Sequence, residues 1–257
     1  MQEFIEAAEA AAEAAGAIIR PLFRSQLLVD SKGDASPVTE ADRGAELAMR
    51  ALLGARFPGH GIWGEEYGPE RADAEYLWVL DPIDGTRAFV TGRPLFGTLI
   101  GLLHRGVPVL GMIDQPVTGE RLAGHPGPAD PLHRALGRHA ALPALPQHRE
   151  CRAVLHQPRH VRAGRSPGFE RRRGAARRVT WGGDCYAYGL LALGLVDLVC
   201  EATMKPWDWA AIVPVVEGAG GRVTGWDGRP LRLGGDGRVL ALGDAAMLAE
   251  AVGLLGD

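Results

Sequence analysis

The amino-acid sequence predicts a layered α/β fold in which helices cover a mixed β-sheet. Segments with the apolar spacing of helices alternate along the chain with short apolar segments of strand length. Two of these strand segments are joined at Arg105-Gly106, which is a hairpin signal, so part of the sheet is antiparallel. With 257 residues, 46% of them hydrophobic, the chain can bury one large core or two fused subdomains.

The first part of the chain begins with two predicted helices. Residues 2–24 are rich in alanine and glutamate with apolar residues at helical spacing, and residues 38–57 form a second helix that ends before Pro58-Gly59. Tyr76–Leu80 is a short apolar strand that stops at Asp81. The two strands of the hairpin are Leu95–His104 and Val107–Ile113.

The last third of the chain again alternates strands and helices. This alternation is what a layered fold with more than one sheet requires. The predicted elements are a strand at Arg178–Trp181, a buried helix at Tyr186–Leu195, a strand at Leu198–Glu201, a helix at Trp207–Gly218, strands near Val223 and at Val239–Ala241, and a helix at residues 244–255.

Composition excludes several classes of protein. The net charge of -3 and the pI near 6.3 predict no general attraction to nucleic acid or to an anionic membrane. The N-terminus lacks the basic and apolar regions of a signal peptide, and the longest apolar run, Tyr186–Val199, is too short to span a bilayer. Three cysteines without CxxC spacing are typical of reduced thiols. We therefore expect a soluble, cytoplasmic protein with no membrane partner.

The segment Asp81-Pro82-Ile83-Asp84-Gly85-Thr86 is the strongest candidate for chemistry. Asp81 directly follows a predicted strand, and the turn brings Asp84 into the same space. Hard cations such as Mg²⁺ take one or two carboxylates together with water and substrate phosphate. The alternative is a plain turn, because Asp, Pro and Gly are the commonest turn residues.

Two further acidic sites favour a metal site over a plain turn. Glu65 follows the apolar strand residues Ile62-Trp63, and Asp208 lies at the start of a predicted helix. Asp208 could also serve as a helix N-cap, a position that Asp fills well. The two functions are compatible, since an N-cap carboxylate can also bind a metal.

Two motifs make the chain resemble the inositol monophosphatase superfamily of metal-dependent phosphatases. The first is Trp78–Thr86, and the second is Trp207–Ala211 followed by Glu217–Gly221. Glu65 and Asp42 also fall where that family has acidic residues. The match covers about 1–124 and 176–257, and it implies an α-β-α-β-α sandwich with subdomains at 1–124 and 125–257.

The resemblance implies a role for each matching residue. Glu65, Asp81 and the Ile83 carbonyl would bind one Mg²⁺, and Asp81, Asp84 and Asp208 would bind a second. Thr86, paired with Asp42, would orient and deprotonate the attacking water, with Glu65 assigned to the catalytic set. Lys32 falls where the family has a mobile-loop lysine. The residues assigned to the substrate are Asp84, Gly85, Thr86, Asp184, Glu201 and Asp208.

Finer features resemble the histidinol-phosphate phosphatase branch of the superfamily. These are the stretch Gly182–Ala192 and the approach Lys205-Pro206 to Asp208, with Asp184 and Glu201 as substrate-side contacts. The resemblance implies hydrolysis of L-histidinol phosphate; the alternative is an inositol-1-phosphatase or a broad sugar phosphatase. Asp184 could also be a helix N-cap, a role compatible with a substrate contact, whereas Glu201 could be only a solvated strand end.

Residues 125–178 do not fit the pattern of the rest of the chain. They hold 12 of the 26 arginines but only three acidic residues, Asp130, Glu150 and Glu170, and show no clear strand or helix period. Three hypotheses compete: a basic insertion that binds nucleic acid, a disordered loop, or a stretch translated out of frame. We favour the frameshift. A one-base shift in one coding of His156–Arg162 gives Thr-Asn-Pro-Asp-Met-Phe, which resembles the entry to the second subdomain in this branch.

The three hypotheses for residues 125–178 predict different properties for the protein. The family is usually homodimeric, so a homodimer is expected if residues 125–178 fold. If the segment is out of frame, the chain could be an inactive remnant, although every candidate site residue lies outside it. The alternative from another class is a nucleic-acid-binding protein that uses the arginines.

Overall fold

The computed structural model describes residues 1–25, 29–31, 37–125, 152–155 and 178–255. Its helices are α1 (Gln2–Leu22), α2 (Glu40–Arg56), α3 (Thr86–Val90), α4 (Asp184–Ala192), α5 (Pro206–Trp209), α6 (Ile212–Gly218) and α7 (Leu248–Leu255), with a 3₁₀ turn at Ala245–Met247. Its strands are β1 (Val29–Ser31), β2 (Pro37–Thr39), β3 (Gly61–Gly64), β4 (Gly68–Glu70), β5 (Tyr76–Asp84), β6 (Gly97–His104), β7 (Val107–Gln115), β8 (Glu120–Gly124), β9 (Arg152–Leu155), β10 (Arg178–Trp181), β11 (Leu198–Glu201), β12 (Arg222–Thr224) and β13 (Val239–Leu242).

These strands form two larger sheets and one small ribbon. The six-stranded sheet has the order β4-β3-β5-β6-β7-β8, and only its β3–β5 pair is parallel. The five-stranded sheet has the order β10-β9-β11-β13-β12, with β9 parallel to both of its neighbours and β13 antiparallel to both of its own. Strands β1 and β2 pair antiparallel with each other. Both larger sheets are therefore mixed, as the sequence predicts.

The helices and the two larger sheets stack in alternating layers. Helices α1 and α2 pack on one face of the six-stranded sheet, where they meet Trp78 and Leu80 of β5. Helices α4, α5 and α6 pack on the other face, against Leu77 and Val79 of the same strand. Their opposite side meets β11 and β13, and α7 covers the far face of that sheet. The predicted α-β-α-β-α sandwich is confirmed.

Helices α5 and α6 approach the six-stranded sheet so closely that two strand positions facing them have no room for a side chain. A Cβ atom added to Gly111 of β7 would lie 1.9 Å from the Ala211 carbonyl oxygen. One added to Gly124 of β8 would lie 2.2 Å from the carbonyl oxygen of Pro214. Glycine at these positions lets helix backbone rest directly on strand backbone, which fixes α5 and its Asp208 relative to the sheet.

Besides smaller shifts at the ends of other elements, three predicted elements differ from the structure. Strand β5 does not stop at Asp81 but continues to Asp84, because β5 has one extra residue between the pairs Asp81–Leu99 and Asp84–Gly97 and forms a bulge. The single helix predicted at Trp207–Gly218 is two helices, α5 and α6. The last predicted helix begins as the 3₁₀ turn.

The structure describes only a small part of residues 125–178. Within them, Arg152–Leu155 forms β9, which pairs in parallel with both β10 and β11. The sequence shows no clear strand period in this segment, so β9 could not be predicted from its pattern. The remaining hypotheses about the segment concern residues outside the described ranges. The division into subdomains at residue 124 stays a prediction, although α4–α6 share a core with the six-stranded sheet.

Candidate active site

Three aspartates from distant parts of the chain converge beside the end of β5. One ligand oxygen of each of Asp81, Asp84 and Asp208 can be chosen so that all three lie within 4.8 Å of one another. Asp81 is buried, and the other two are half-buried. Asp81 and Asp84 come from the bulged end of β5, whereas Asp208 comes from α5. The three carboxylates thus share one space, as the sequence analysis expects, and their role as metal ligands stays a prediction.

The bulge of β5 is held by hydrogen bonds that use its own polar groups. The Ile83 amide donates to Asp81 Oδ1 at 3.0 Å, which closes the turn around the first carboxylate. The buried Thr98 hydroxyl of β6 donates to the Pro82 carbonyl at 2.8 Å. These contacts fix the two residues between Asp81 and Asp84, so both carboxylates leave the strand toward the same space.

Asp84 and Asp208 are each oriented by a backbone amide. The Cys185 amide, at the start of α4, donates to Asp84 Oδ2. The Lys205 amide donates to Asp208 Oδ2 at 2.7 Å. Asp208 is therefore not the N-cap, which is Lys205, but the third residue of α5 reaching back to the N-cap amide.

Burial and mutual repulsion make these aspartates hard to ionise together. Burial, and then the charges of Glu65 and Asp84, raise the pKa of Asp81 well above its usual value. Burial, and then Asp184 and Asp208, do the same to the pKa of Asp84. The pKa of Asp208 is raised to about 8, chiefly by burial. A hard divalent cation among these oxygens would relieve the repulsion, so the donor set fits Mg²⁺.

Glu65 belongs to the same electrostatic cluster. It follows β3, and its amide donates to the Leu80 carbonyl of β5 at 3.1 Å. The charge of Glu65 raises the pKa of both Asp81 and Asp208, so its carboxylate lies near these aspartates. The structure thus brings Glu65 to the site, as predicted, without assigning it to a particular ion.

Thr86 and Asp42 form the predicted hydroxyl–carboxylate pair. The Thr86 hydroxyl lies 3.4 Å from Asp42 Oδ1 and 3.1 Å from the Ile83 carbonyl oxygen. Asp42 is buried, and its Oδ2 accepts from both the amide and the hydroxyl of Thr39, at 2.8 and 2.6 Å. Asp42 is thereby fixed at the start of α2 with Oδ1 directed to Thr86.

Gly85 and Asp184 meet across the site. Gly85 has φ +90°, and an added Cβ would lie 2.8 Å from Asp184 Oδ2. Asp184 is not the N-cap of α4: Gly183 takes that position, and Asp184 is the first helical residue, with φ +43°. The prediction that Asp184 is an N-cap is therefore wrong, and its carboxylate lies beside the Gly85 turn.

Glu201 ends β11 as a half-buried residue with a defined partner. The buried Tyr188 hydroxyl donates to Glu201 Oε2 at 2.6 Å. The charge of Glu201 contributes to the raised pKa of both Asp84 and Asp208. Glu201 is therefore not simply a solvated strand end but a hydrogen-bonded carboxylate near the aspartates.

The predicted site residues that the structure describes lie in one region, together with two residues that were not predicted. Lys32 lies outside the described residues. The sequence analysis missed Glu46, which binds the backbone next to Glu65, and Tyr188, which binds Glu201. Glu46 could have been found, because an acidic residue on the buried stripe of α2 is unusual unless it is paired.

The helices and cysteines of the described residues bear on where the protein is expected to act. Among the described residues, no helix combines the length and apolarity needed to cross a membrane. Cys185 and Cys200 are buried free thiols. The cytoplasmic location and the homodimer stay predictions.

Comparison with known proteins agrees with this arrangement. The inositol monophosphatase family matches residues 1–253. The bifunctional phosphatase IMPL2, chloroplastic, of Arabidopsis thaliana is 42% identical over 231 residues, which are 89% of this chain and 66% of that protein. A histidinol-phosphatase of Chlorobaculum parvum is 36% identical over 90% of this chain and 88% of its own length.

Inositol phosphatases are similar to the chain as well. The inositol-1-monophosphatase of a Synechocystis species is 31% identical over 94% of this chain and 85% of its own length. A solved structure of an inositol monophosphatase from Zymomonas mobilis superposes with a TM-score of 0.84 and 44% identity, covering 99% of this chain and 98% of that one.

Proposed function

Because this chain belongs to the inositol monophosphatase family and is a phosphoric monoester hydrolase, we propose that it hydrolyses L-histidinol phosphate to L-histidinol and phosphate with the help of Mg²⁺. The observation that carries the proposal is that two further carboxylates, those of Asp184 and Glu201, lie near the aspartate cluster. Carboxylates beside a metal-binding cluster suit a substrate that carries positive charge as well as a phosphate.

The metal would be held by the residues that the family resemblance assigns to it. These are Glu65, Asp81 and the Ile83 carbonyl for one ion, and Asp81, Asp84 and Asp208 for the other. When bound, Mg²⁺ supplies charge neutralisation for the phosphoryl oxygens during transfer. The chain contributes by fixing the carboxylates before the ion arrives, through the amides of Ile83, Cys185 and Lys205.

Thr86 and Asp42 would handle the proton of the attacking water. A water that donates to Thr86 Oγ1 transfers a proton to that oxygen as the hydroxyl proton of Thr86 moves to Asp42 Oδ1. The 3.4 Å separation in the structure would shorten when substrate is bound. The two hydrogen bonds from Thr39 keep Asp42 in place for this step.

Asp184 and Glu201 would bind the leaving group. Histidinol phosphate carries a primary amine and an imidazole, both of which can be cationic and donate hydrogen bonds to carboxylates. Glu201 is oriented for this by the Tyr188 hydroxyl. The names of the Chlorobaculum relative and of a Mycobacterium tuberculosis relative, 36% identical over 213 residues, support the same substrate.

An inositol phosphate is the second candidate substrate. Carboxylates accept hydrogen bonds from sugar or polyol hydroxyls as well as from amines, and the Synechocystis and Zymomonas proteins are inositol monophosphatases by name. Under this alternative, Glu201 would bind hydroxyls rather than a cation.

Phosphate release from each substrate separates the two candidates. We expect the purified chain to hydrolyse histidinol phosphate with a higher kcat/KM than inositol 1-phosphate, and to lose activity in EDTA. The neutralising substitution Glu201→Gln should raise KM for histidinol phosphate about 10-fold or more, because a charge-assisted hydrogen bond contributes roughly 1.5–3 kcal/mol. An equal loss on both substrates, or a preference for inositol 1-phosphate, would favour the alternative.

A further inference from the structure

Glu46 is a buried carboxylate that the proposed mechanism does not use. It lies on α2, one helical turn after Asp42, and its side chain is fully buried. Burying a charged carboxylate is costly unless it is paired and hydrogen-bonded. The partners of Glu46 therefore indicate what the buried charge does.

Those partners lie on the loop that carries Glu65. Glu46 Oε2 accepts from the Glu66 amide at 2.7 Å, and Oε1 accepts from the Tyr67 amide at 3.2 Å. Arg50, one turn further along α2, pairs with Oε1 through its Nε at 2.7 Å and also donates to the Gly68 carbonyl. The two residues that follow Glu65 are thus bound to one carboxylate.

The residue before Glu65 fits closely against the same carboxylate. A Cβ atom added to Gly64 would lie 2.0 Å from Glu46 Oε1, so any side chain there would collide with it. Contacts with Glu46 therefore flank Glu65 on both sides in the chain. The Glu65 amide is in turn held by the Leu80 carbonyl of β5.

We propose that Glu46 is a positioning residue for the metal site: its carboxylate fixes the backbone around Glu65 and thereby sets the affinity of the site for a divalent cation. This inference rests on the proposed Mg²⁺-dependent function. Because the carboxylate accepts from two amides and an arginine at once, glutamine cannot replace it. Glutamine has an NH₂ group in place of one carboxylate oxygen. This group donates hydrogen bonds, so it could not accept one from the N–H group that faces it.

The test compares Glu46→Gln with Glu70→Gln. Glu70 is the matched control because it also faces Arg50, with Oε2 at 3.8 Å from Nη1, but is about half exposed. For each protein, the measurements are the Mg²⁺ concentration that gives half-maximal activity, the KM for substrate at saturating Mg²⁺, and the rise in Tm that Mg²⁺ produces.

We expect Glu46→Gln to raise the half-maximal Mg²⁺ concentration roughly 10- to 100-fold, as for other residues that orient metal ligands. The KM for substrate at saturating Mg²⁺ should stay within about twofold, because Glu46 does not face the substrate. The rise in Tm with Mg²⁺ should require correspondingly more metal. Glu70→Gln should match the wild type in all three measurements.

Two outcomes would overturn the proposal. If Glu46→Gln lowers Tm in EDTA but needs no more Mg²⁺ than the wild type, the carboxylate is only structural. If Glu46→Gln does not fold, Glu46→Asp keeps the charge beside Arg50 while being too short to reach both amides. A wild-type Mg²⁺ requirement in that variant would also contradict the proposal. If the activity of the wild-type protein does not depend on Mg²⁺, the proposed function itself is refuted. That result is distinguishable from the other two.

Discussion

Asp81 is the residue on which both proposed metal positions depend. It is buried, and its pKa is raised first by burial and then by its acidic neighbours. In the absence of a cation, its charge therefore opposes folding, and in the presence of one it contributes a ligand. A residue of this kind trades stability for function.

The variant Asp81→Asn tests the effect of Asp81 on turnover and its effect on stability. We expect turnover to fall by roughly 100-fold or more, because removing even a residue that orients a ligand costs 10- to 100-fold. The free energy of unfolding in EDTA should rise by about 1–2 kcal/mol, because the amide keeps an oxygen for Ile83 and removes a buried charge. Phosphate release and thermal unfolding measure the two effects.

The control for Asp81→Asn is Asp227→Asn, which changes an exposed carboxylate. That variant should leave turnover and stability close to the wild type. Retained turnover in Asp81→Asn would contradict the site assignment.

Single residues were predictable where a short motif contains them. Asp81, Asp84 and Thr86 lie within six consecutive positions, so their types and spacing are visible in the sequence. Glu46 and Tyr188 were not predicted, because their functions depend on partners 20 and 13 residues away, and only folding brings those partners into contact.

At the scale of elements, the ends of strands and helices were harder to predict than their centres. The apolar run Tyr76–Leu80 predicts the centre of β5, but the bulge that extends the strand to Asp84 depends on pairing with Gly97 of β6. Likewise, the apolar content of residues 207–218 predicts helix, but not the break between α5 and α6. That break lies where Ala211 meets Gly111 of β7, a contact that involves another part of the chain.

The turn between α2 and β3 contains a histidine in a ring stack. His60 stacks between Phe57 and Tyr76, with ring centroids 4.7 and 4.9 Å apart. Its Nδ1 accepts from the indole of Trp78 at 3.2 Å. Burial lowers the pKa of His60 from 6.5, with an opposing contribution from Glu3. The stack therefore favours the neutral ring.

This arrangement predicts a pH dependence of stability. Folded His60 binds its proton less tightly than unfolded His60, so the unfolded state takes up more protons as pH falls below about 6.5. The free energy of unfolding should therefore decrease as pH falls through that value and the lower pKa of the folded state. In His60→Phe, which keeps a ring in the stack, urea unfolding at pH 5–8 should show a smaller decrease. An equal decrease in both proteins would contradict this prediction.

At the scale of the whole molecule, the three clustered aspartates come from two different layers. Asp81 and Asp84 extend from the first sheet, and Asp208 comes from the helical layer between the sheets. The family resemblance predicted this layered arrangement because its motifs occur in both parts of the chain. The backbone contact that sets the distance between the layers was not predictable, because glycine carries no hydrophobic pattern.

Gly111→Ala tests that contact. The new methyl group would collide with the Ala211 carbonyl, so we expect a loss of about 1–3 kcal/mol in the free energy of unfolding. Activity should also fall, because the helix that carries Asp208 must shift. The matched control is Gly54→Ala in α2, where an added methyl meets nothing within 4 Å. The control should stabilise the chain by roughly 0.5–1 kcal/mol.

Residues 125–178 lead to a prediction about the gene rather than the fold. If the segment is translated out of frame, the source DNA will contain compensating insertions or deletions near codons 125 and 170. Sequencing that DNA decides the matter, and an intact frame would refute the hypothesis. An intact frame with steeply salt-dependent DNA binding by the protein would favour the nucleic-acid alternative.

The hydrogen bond from the Cys185 amide to Asp84 joins residues 101 positions apart in the chain. Contacts of such long range slow folding, because a large loop must lose entropy before the contact can stabilise it. Folding must also bring acidic residues from distant parts of the chain together against their mutual repulsion. A divalent cation would relieve that repulsion, so we expect refolding in EDTA to be slower than refolding in Mg²⁺.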